Sequence, residues 1–192
     1  MDLLTGVMAA FGLSASAGLN AYIPLLVISL TARFTDLIQL SEPWDVMTSW
    51  WIIGLLAVLS IIEFFADKVP AINHANDVIQ TFVRPIAGAI VFAASANVIT
   101  ELHPVVALGA GVLVSGTVHA VKSAAVRPAV TVSTGGAGNV PVSMAEDFFA
   151  TSLSVIAIVI PILIAFLFLL FLALVIWLIW RRNKRKALEQ AI

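Results

Sequence analysis

Long apolar runs separated by short polar clusters set the pattern of this 192-residue chain. Residues 3–34 are mostly apolar, with Gly18, Asn20 and Pro24 gathered near the middle. As one straight helix this run would reach about 48 Å, against a hydrocarbon core of about 30 Å. Pro24 lacks a backbone donor and clashes with the preceding turn, so two half-helices meeting near Gly18 to Pro24 are expected. Ser14-Ala-Ser-Ala17 has the small residues of a signal-peptide end. No Lys or Arg precedes it and the apolar run resumes after Asn20, so the segment reads as a retained membrane element.

Trp50 to Phe65 predicts a span, with Trp44, Trp50 and Trp51 where an aromatic belt would sit. Pro85 to Thr100 predicts another, rich in Ala and Gly and suited to close helix contact. Between them, with Pro70 opening a helix, Asn73, Asp77, Gln80 or Thr81, and Arg84 share one face. Ile72, Ala75, Ile79, Phe82 and Ile86 take the other, the pattern of an amphipathic helix near 70–84 that lies along the bilayer surface or caps a polar cavity, the alternative being a solvated loop helix joining two spans. Val105 to Val132 repeats the oddity of the first run. It is too long for a simple span and is interrupted by Ser115, Gly116, His119, Lys122, Arg127 and Pro128. Gly135-Gly-Ala-Gly138 lacks the Gly-Lys-Ser/Thr of a phosphate loop and reads as a turn. Phe148 to Trp180 is then one apolar stretch of 33 residues containing Pro161.

The two long interrupted runs share a pattern. Gly12-x-x-x-Ser16-x-x-x-Asn20-Ala21 matches Gly111-x-x-x-Ser115-x-x-x-His119-Ala120, each set making one helix stripe. Corresponding interrupted helices in two halves point to a transporter-like inverted repeat with a site where they meet. The alternative is a chance agreement of two Gly/Ala-rich segments.

Composition fixes the class. Hydrophobic residues make up 61% and charged residues only 11%, with mean hydropathy +1.07, more apolar surface than one soluble core could hide. The expected fold is an all-α integral membrane bundle with two broken or re-entrant helices, at about 3–34 and 105–132. Residues 1–180 form one membrane domain and 181–192 a basic tail. Net charge of -1 argues against nucleic acid as a partner. The chain has no cysteine, which removes disulfides, thiolate metal sites and cysteine nucleophiles. Arg181, Arg182, Lys184, Arg185 and Lys186 beside the last span place the C-terminus in the cytoplasm. If both interrupted runs cross once, five spans put the N-terminus outside and the acidic loop of Asp36, Glu42 and Asp45 in the cytoplasm. Treating both as hairpins, the preferred arrangement, leaves three full spans with that loop outside and Lys68 and Arg84 inside, at the cost of Lys122 and Arg127 lying outside or buried.

Specific residues also carry a resemblance. Gly18-Leu-Asn-Ala-Tyr-Ile-Pro24, Glu63-x-x-x-Asp67-Lys68-x-Pro70, Asp77 and Thr81-x-x-Arg84-Pro85-x-x-Gly88 are joined by His119-x-x-Lys122, Arg127, Asn139, Ser143 and Glu146-Asp147. Over residues 12–150 this resembles an uncharacterised bacterial membrane family, domain of unknown function 4126. The resemblance implies a multi-pass protein of the bacterial inner membrane and no defined activity. Two positions depart from it: Asn73 stands where an acid is expected, and glycines 135, 136 and 138 where a proline-containing polar turn is expected.

Chemistry therefore rests on the polar residues. Charges at membrane depth are costly and usually pair or line a pathway. In the structural alternative, Glu63 or Asp67 neutralises Lys68, and Glu146 or Asp147 neutralises Lys122 or Arg127. In the functional one, the chain transports an anionic small molecule or lipid phosphate. Arg84 and Arg127 present guanidinium forks, and Asn20, His119 and Lys122 complete the substrate site. Glu63, Asp67, Lys68, Asp77, Glu146 and Asp147 form the proton-coupling or charge network, with His119 easily titrated. A metal-dependent intramembrane enzyme built on Glu63, Asp67, Asp77 and His119 is a further alternative, but no known catalytic spacing appears, and neither catalytic residue, resident metal nor cofactor is assigned. The remaining alternative is a structural or assembly subunit, with the small-residue stripes packing helices within one chain or between copies in a homo-oligomer. The expected partners are the bilayer and an anionic solute or lipid headgroup.

Overall fold

The computed structural model describes residues 3–68, 70–96 and 103–189, and among these every regular element is helical. In chain order they are α1 (Leu3–Leu19), α2 (Tyr22–Phe34), α3 (Trp50–Ala66), α4 (Pro70–Ala96), α5 (Pro104–Val121), α6 (Arg127–Thr134), α7 (Asn139–Val159) and α8 (Pro161–Glu189). A 3-10 turn at Trp44–Thr48 precedes α3, and a π turn at Lys122–Val126 joins α5 to α6. Among the described residues four stretches are long and apolar enough to cross a membrane: Val78–Ser95, Pro104–Thr134, Asn139–Val159 and Pro161–Arg182. Leu4–Leu19, Tyr22–Phe34 and Trp50–Ala66 are apolar but shorter. Large apolar side chains such as Trp51, Phe82, Leu113 and Phe166 cover the outside, as expected where lipid is the solvent.

α1 is the central post. Its Ala9, Ala10, Leu13, Ser14, Ser16 and Ala17 are fully buried. Ser14 donates to the carbonyls of Gly88 on α4 (2.8 Å) and Gly111 on α5 (3.1 Å). A methyl group on Gly18 would lie 2.5 Å from the Ser115 carbonyl oxygen, and one on Gly111 would strike the backbone of Gly88. These glycines let three backbones meet without side chains between them. The pairings set α1 parallel to α5 and antiparallel to α4. On its other side Ser16 bonds Ala150 and Ser154 of α7, which also runs antiparallel.

The first long run folds back on itself. Trp44 packs on Ala10, Phe92, Ala93 and Ala107, and Arg33 donates to the carbonyl of neighbouring Thr48 at 2.6 Å. The far end of α2 therefore lies beside the start of α1, and the chain reverses at Asn20 and Ala21. The reversal is not at Pro24, which sits in the first turn of α2, where a missing N–H leaves no bond unmade.

Several expectations are corrected. Residues 70–84 are helical, but they form the first half of the single helix α4, which runs through Pro85. Its polar Gln80 and Arg84 face inward while Val78, Ile79, Phe82 and Ile86 face out, the reverse of a helix lying on a surface. Pro104–Thr134 follows one helical path through the π turn and is not folded back: Arg127 pairs with Glu146, and Thr131 with Asn139, so α6 continues past the bundle alongside α7. The apolar stretch 148–180 is two helices, because Pro161 cannot extend the helix before it and opens α8 instead. The matching stripes run parallel, whereas an inverted repeat would set them antiparallel. Both are spent inside the chain: Gly12 abuts Ala157 and Ile164, and Gly111 abuts α4.

Candidate functional site

The hairpin tip leaves backbone groups without helical partners, and charged side chains from other helices satisfy them. The Lys122 ammonium donates to the carbonyl of Leu19 at 2.8 Å, at the C-terminal end of α1. The amide of Ala21, at the start of α2, donates to the Glu63 carboxylate at 3.1 Å. Each charge is opposite in sign to the helix end it meets. Asn20 supplies the rest. Its Oδ1 accepts from the amides of Tyr22 (3.2 Å) and Ile23 (3.1 Å), while Nδ2 donates to Asp147 at 3.0 Å.

Around this tip lies one connected charge network. Asp67 Oδ2 faces three cations from three elements: Arg127 Nη2 at 3.2 Å, Arg84 Nη2 at 3.6 Å and Lys122 Nζ at 3.8 Å. Arg84 also pairs with Glu63 at 3.0 Å. Glu146 takes Arg127 at 2.7 Å and Lys122 at 2.9 Å. Lys68 pairs with Asp147 at 3.0 Å and places its ammonium over the ring of Phe64. Among the described side chains four cations thus meet four carboxylates, and their charges cancel when His119 is uncharged. A neutral, mutually paired set is the arrangement in which so much charge can be held away from water.

His119 has a defined role in the layer. Its Nδ1 lies 3.1 Å from Arg84 Nη1 and its Nε2 3.2 Å from Thr81 Oγ1. Arginine only donates, so Nδ1 accepts and the proton rides on Nε2, facing Thr81. The imidazole is therefore neutral in this arrangement.

Of the eleven residues singled out from the sequence, ten converge here: Asn20, Glu63, Asp67, Lys68, Arg84, His119, Lys122, Arg127, Glu146 and Asp147. The side chain of Asp77 lies outside the described residues, as does that of Asn73. The expected pairing of Lys68 with Glu63 or Asp67 is replaced by one with Asp147, across to α7. Asp67 turns to the arginines of α4 and α6 instead, which lie within its reach from the turn after α3. Among the described residues no group of three or more His, Asp or Glu is placed to hold a metal ion. Their carboxylates face cations rather than one another. Sequence reasoning missed Thr81 as the partner of His119, and Asn76, whose amide donates to Asp67 Oδ1 at 2.7 Å. Asn76 precedes Gln80 by four residues, so the polar face of α4 already pointed to it.

A shallow apolar furrow of about 300 Å³, lined by Ile23, Ser60, Ile61, Phe64 and Phe65, runs between α2 and α3 beside the charged layer.

The chain belongs to the family described as Domain of unknown function (DUF4126), whose model matches residues 7–181. No curated protein and no solved structure matches it.

Proposed function

We propose that this member of the DUF4126 family is a membrane transporter for an anionic small molecule or a phosphate-bearing lipid, coupled to protons and captured here in a closed state. The observation that carries the reading is the convergence of Arg84, Lys122 and Arg127 on the single carboxylate Asp67 at the tip of a helical hairpin. In this reading α1 and α2 form a re-entrant hairpin and present oriented helix ends to the site. The internal carboxylates hold the cations until an external anion replaces them. His119 gives a route for coupling: a proton on Nδ1 takes away the lone pair that accepts from Arg84, so protonation and release of the guanidinium go together. The protein sits in the bacterial inner membrane with its basic tail in the cytoplasm.

The test is anion-driven proton movement in proteoliposomes, read with an internal pH dye, for inorganic phosphate, small carboxylates and anionic lipid. Saturable movement by the wild type, lost in Arg84→Ala and Arg127→Ala variants that still melt cooperatively, is expected. Equal rates in wild type and both variants overturn the reading.

A structural subunit of a membrane complex is the second reading. It is favoured by the pairing of Glu63, Asp67, Glu146 and Asp147 with internal cations and by α8, of whose Pro161–Arg182 window only 7% is buried. A stoichiometric partner that co-purifies with the chain, together with an absence of flux, would establish it over transport.

A further inference from the structure

Asp67 is a poor fit for the cations around it. Charge-assisted hydrogen bonds run about 2.7–2.9 Å between heavy atoms, and the Arg84 and Lys122 contacts to Asp67, at 3.6 and 3.8 Å, are well outside that range. One carboxylate oxygen is shared by three donors that it cannot all approach. Arg84, fully buried, also has an Nε–H with no hydrogen-bond partner among the described residues, although a buried donor of this kind is costly to leave unmade. Asp67 is thus a loose fourth partner to cations whose close pairs are Glu63 and Glu146.

We propose that Asp67 stands in for a phosphoryl group, and that Arg84, Lys122 and Arg127 form a phosphate-binding site that opens when Asp67 withdraws. A tetrahedral phosphoryl group offers three outward oxygens where Asp67 offers one, and guanidinium forks match it bidentately. Charge balance agrees. Among the described side chains, withdrawal of Asp67 leaves four cations and three carboxylates, an excess of positive charge that favours an anion. Asp67 is the C-cap of α3, its amide still bonded to the Glu63 carbonyl at 3.0 Å, so withdrawal is a rotation of its side chain on a fixed backbone. Its tether is the Asn76 amide on Oδ1. For a lipid phosphate, the apolar furrow at Ile61 and Phe64 takes the acyl chain.

The inference rests on the transport reading and names its substrate class, but binding is measured apart from flux. Calorimetry on detergent-purified protein compares inorganic phosphate, dioctanoyl phosphatidate and acetate. Asp67→Asn is expected to raise phosphoryl affinity at least tenfold over wild type, and adding Arg127→Lys, which keeps the charge but loses the fork, to lower it at least tenfold again. Acetate is expected not to bind. A folded Asp67→Asn protein that binds neither phosphoryl compound, or binds acetate as tightly, overturns the proposal. Should Asp67→Asn fail to fold, the wild type decides: a saturable rise in melting temperature with a phosphoryl compound, absent in Arg127→Lys, supports the site, and no rise overturns it. Tighter phosphatidate binding that Ile61→Trp weakens identifies the lipid as the source, while phosphate binding untouched by Ile61→Trp identifies the free anion. Binding without flux would leave this site standing and remove the transport reading.

Discussion

Asp67 is approached by Arg84, Lys122 and Arg127, and its second oxygen accepts from Asn76, so deleting it removes one shared negative charge from three cations at once. Breaking a buried pair from one side costs about 3–5 kcal/mol, because the remaining charge is left uncompensated. Asp67→Ala and Arg84→Ala are each expected to fall in that range, read as loss of cooperative unfolding stability in detergent. Glu63→Met combined with Arg84→Met should cost less than Arg84→Ala alone, since both charges leave together. A double variant no more stable than the single one would mean that Glu63 and Arg84 are not each other's main partner. Much of this was legible from the chain, because charge is rare among apolar runs and has to be paired. The partners were less so. Lys68 follows Asp67 directly in sequence, yet neighbours in a helical turn point apart, and Lys68 finds Asp147 on a helix that only the fold brings near.

At the scale of elements, the reversal between α1 and α2 was foreshadowed by length, since a run of that size cannot cross as one straight helix. Which residue makes the turn depends on hydrogen bonding instead. Asn20 caps two amides of α2 and holds Asp147 with the same side chain, a combination that proline cannot supply. Asn20→Ala is expected to cost about 1–2 kcal/mol for the lost cap, more than Pro24→Ala, measured by thermal unfolding in detergent. The π turn at Lys122–Val126 had no comparable mark in sequence, because an extra residue in a helix depends on what the neighbouring side chains must reach, here Leu19 and Glu146. Helix contact gives a sharper forecast. A side chain at Gly88 would strike Ser115, and one at Gly111 the backbone of α4. Gly88→Val and Gly111→Val should each destabilise by about 1–3 kcal/mol through overpacking. Gly54→Ala and Gly109→Ala, whose added methyl meets nothing within 4 Å, serve as controls that should melt near wild type.

Taken as a whole molecule, the protein is apolar outside and charged within, and the two basic regions do different work. The inner cations hold the fold, whereas those that follow Trp180 lie at the end of a helix scarcely packed on the rest. α8 touches the bundle through Ile164, which sits against Gly12, and large side chains from Phe166 onward are mostly exposed. The tail should therefore set orientation without contributing to stability. Cytoplasmic loops are enriched in Lys and Arg because moving such charges across the membrane is unfavourable during insertion. Replacing Arg181, Arg182, Lys184, Arg185 and Lys186 by Gln is expected to leave the melting temperature within a few degrees of wild type. A C-terminal fluorescent reporter that folds only in the cytoplasm should light up on the natural chain and lose signal on the neutral-tail variant, as a fraction of molecules inserts with the tail outside. Unchanged fluorescence would mean that orientation is fixed elsewhere in the chain, while collapse of the melting transition would mean that the tail packs on the bundle after all.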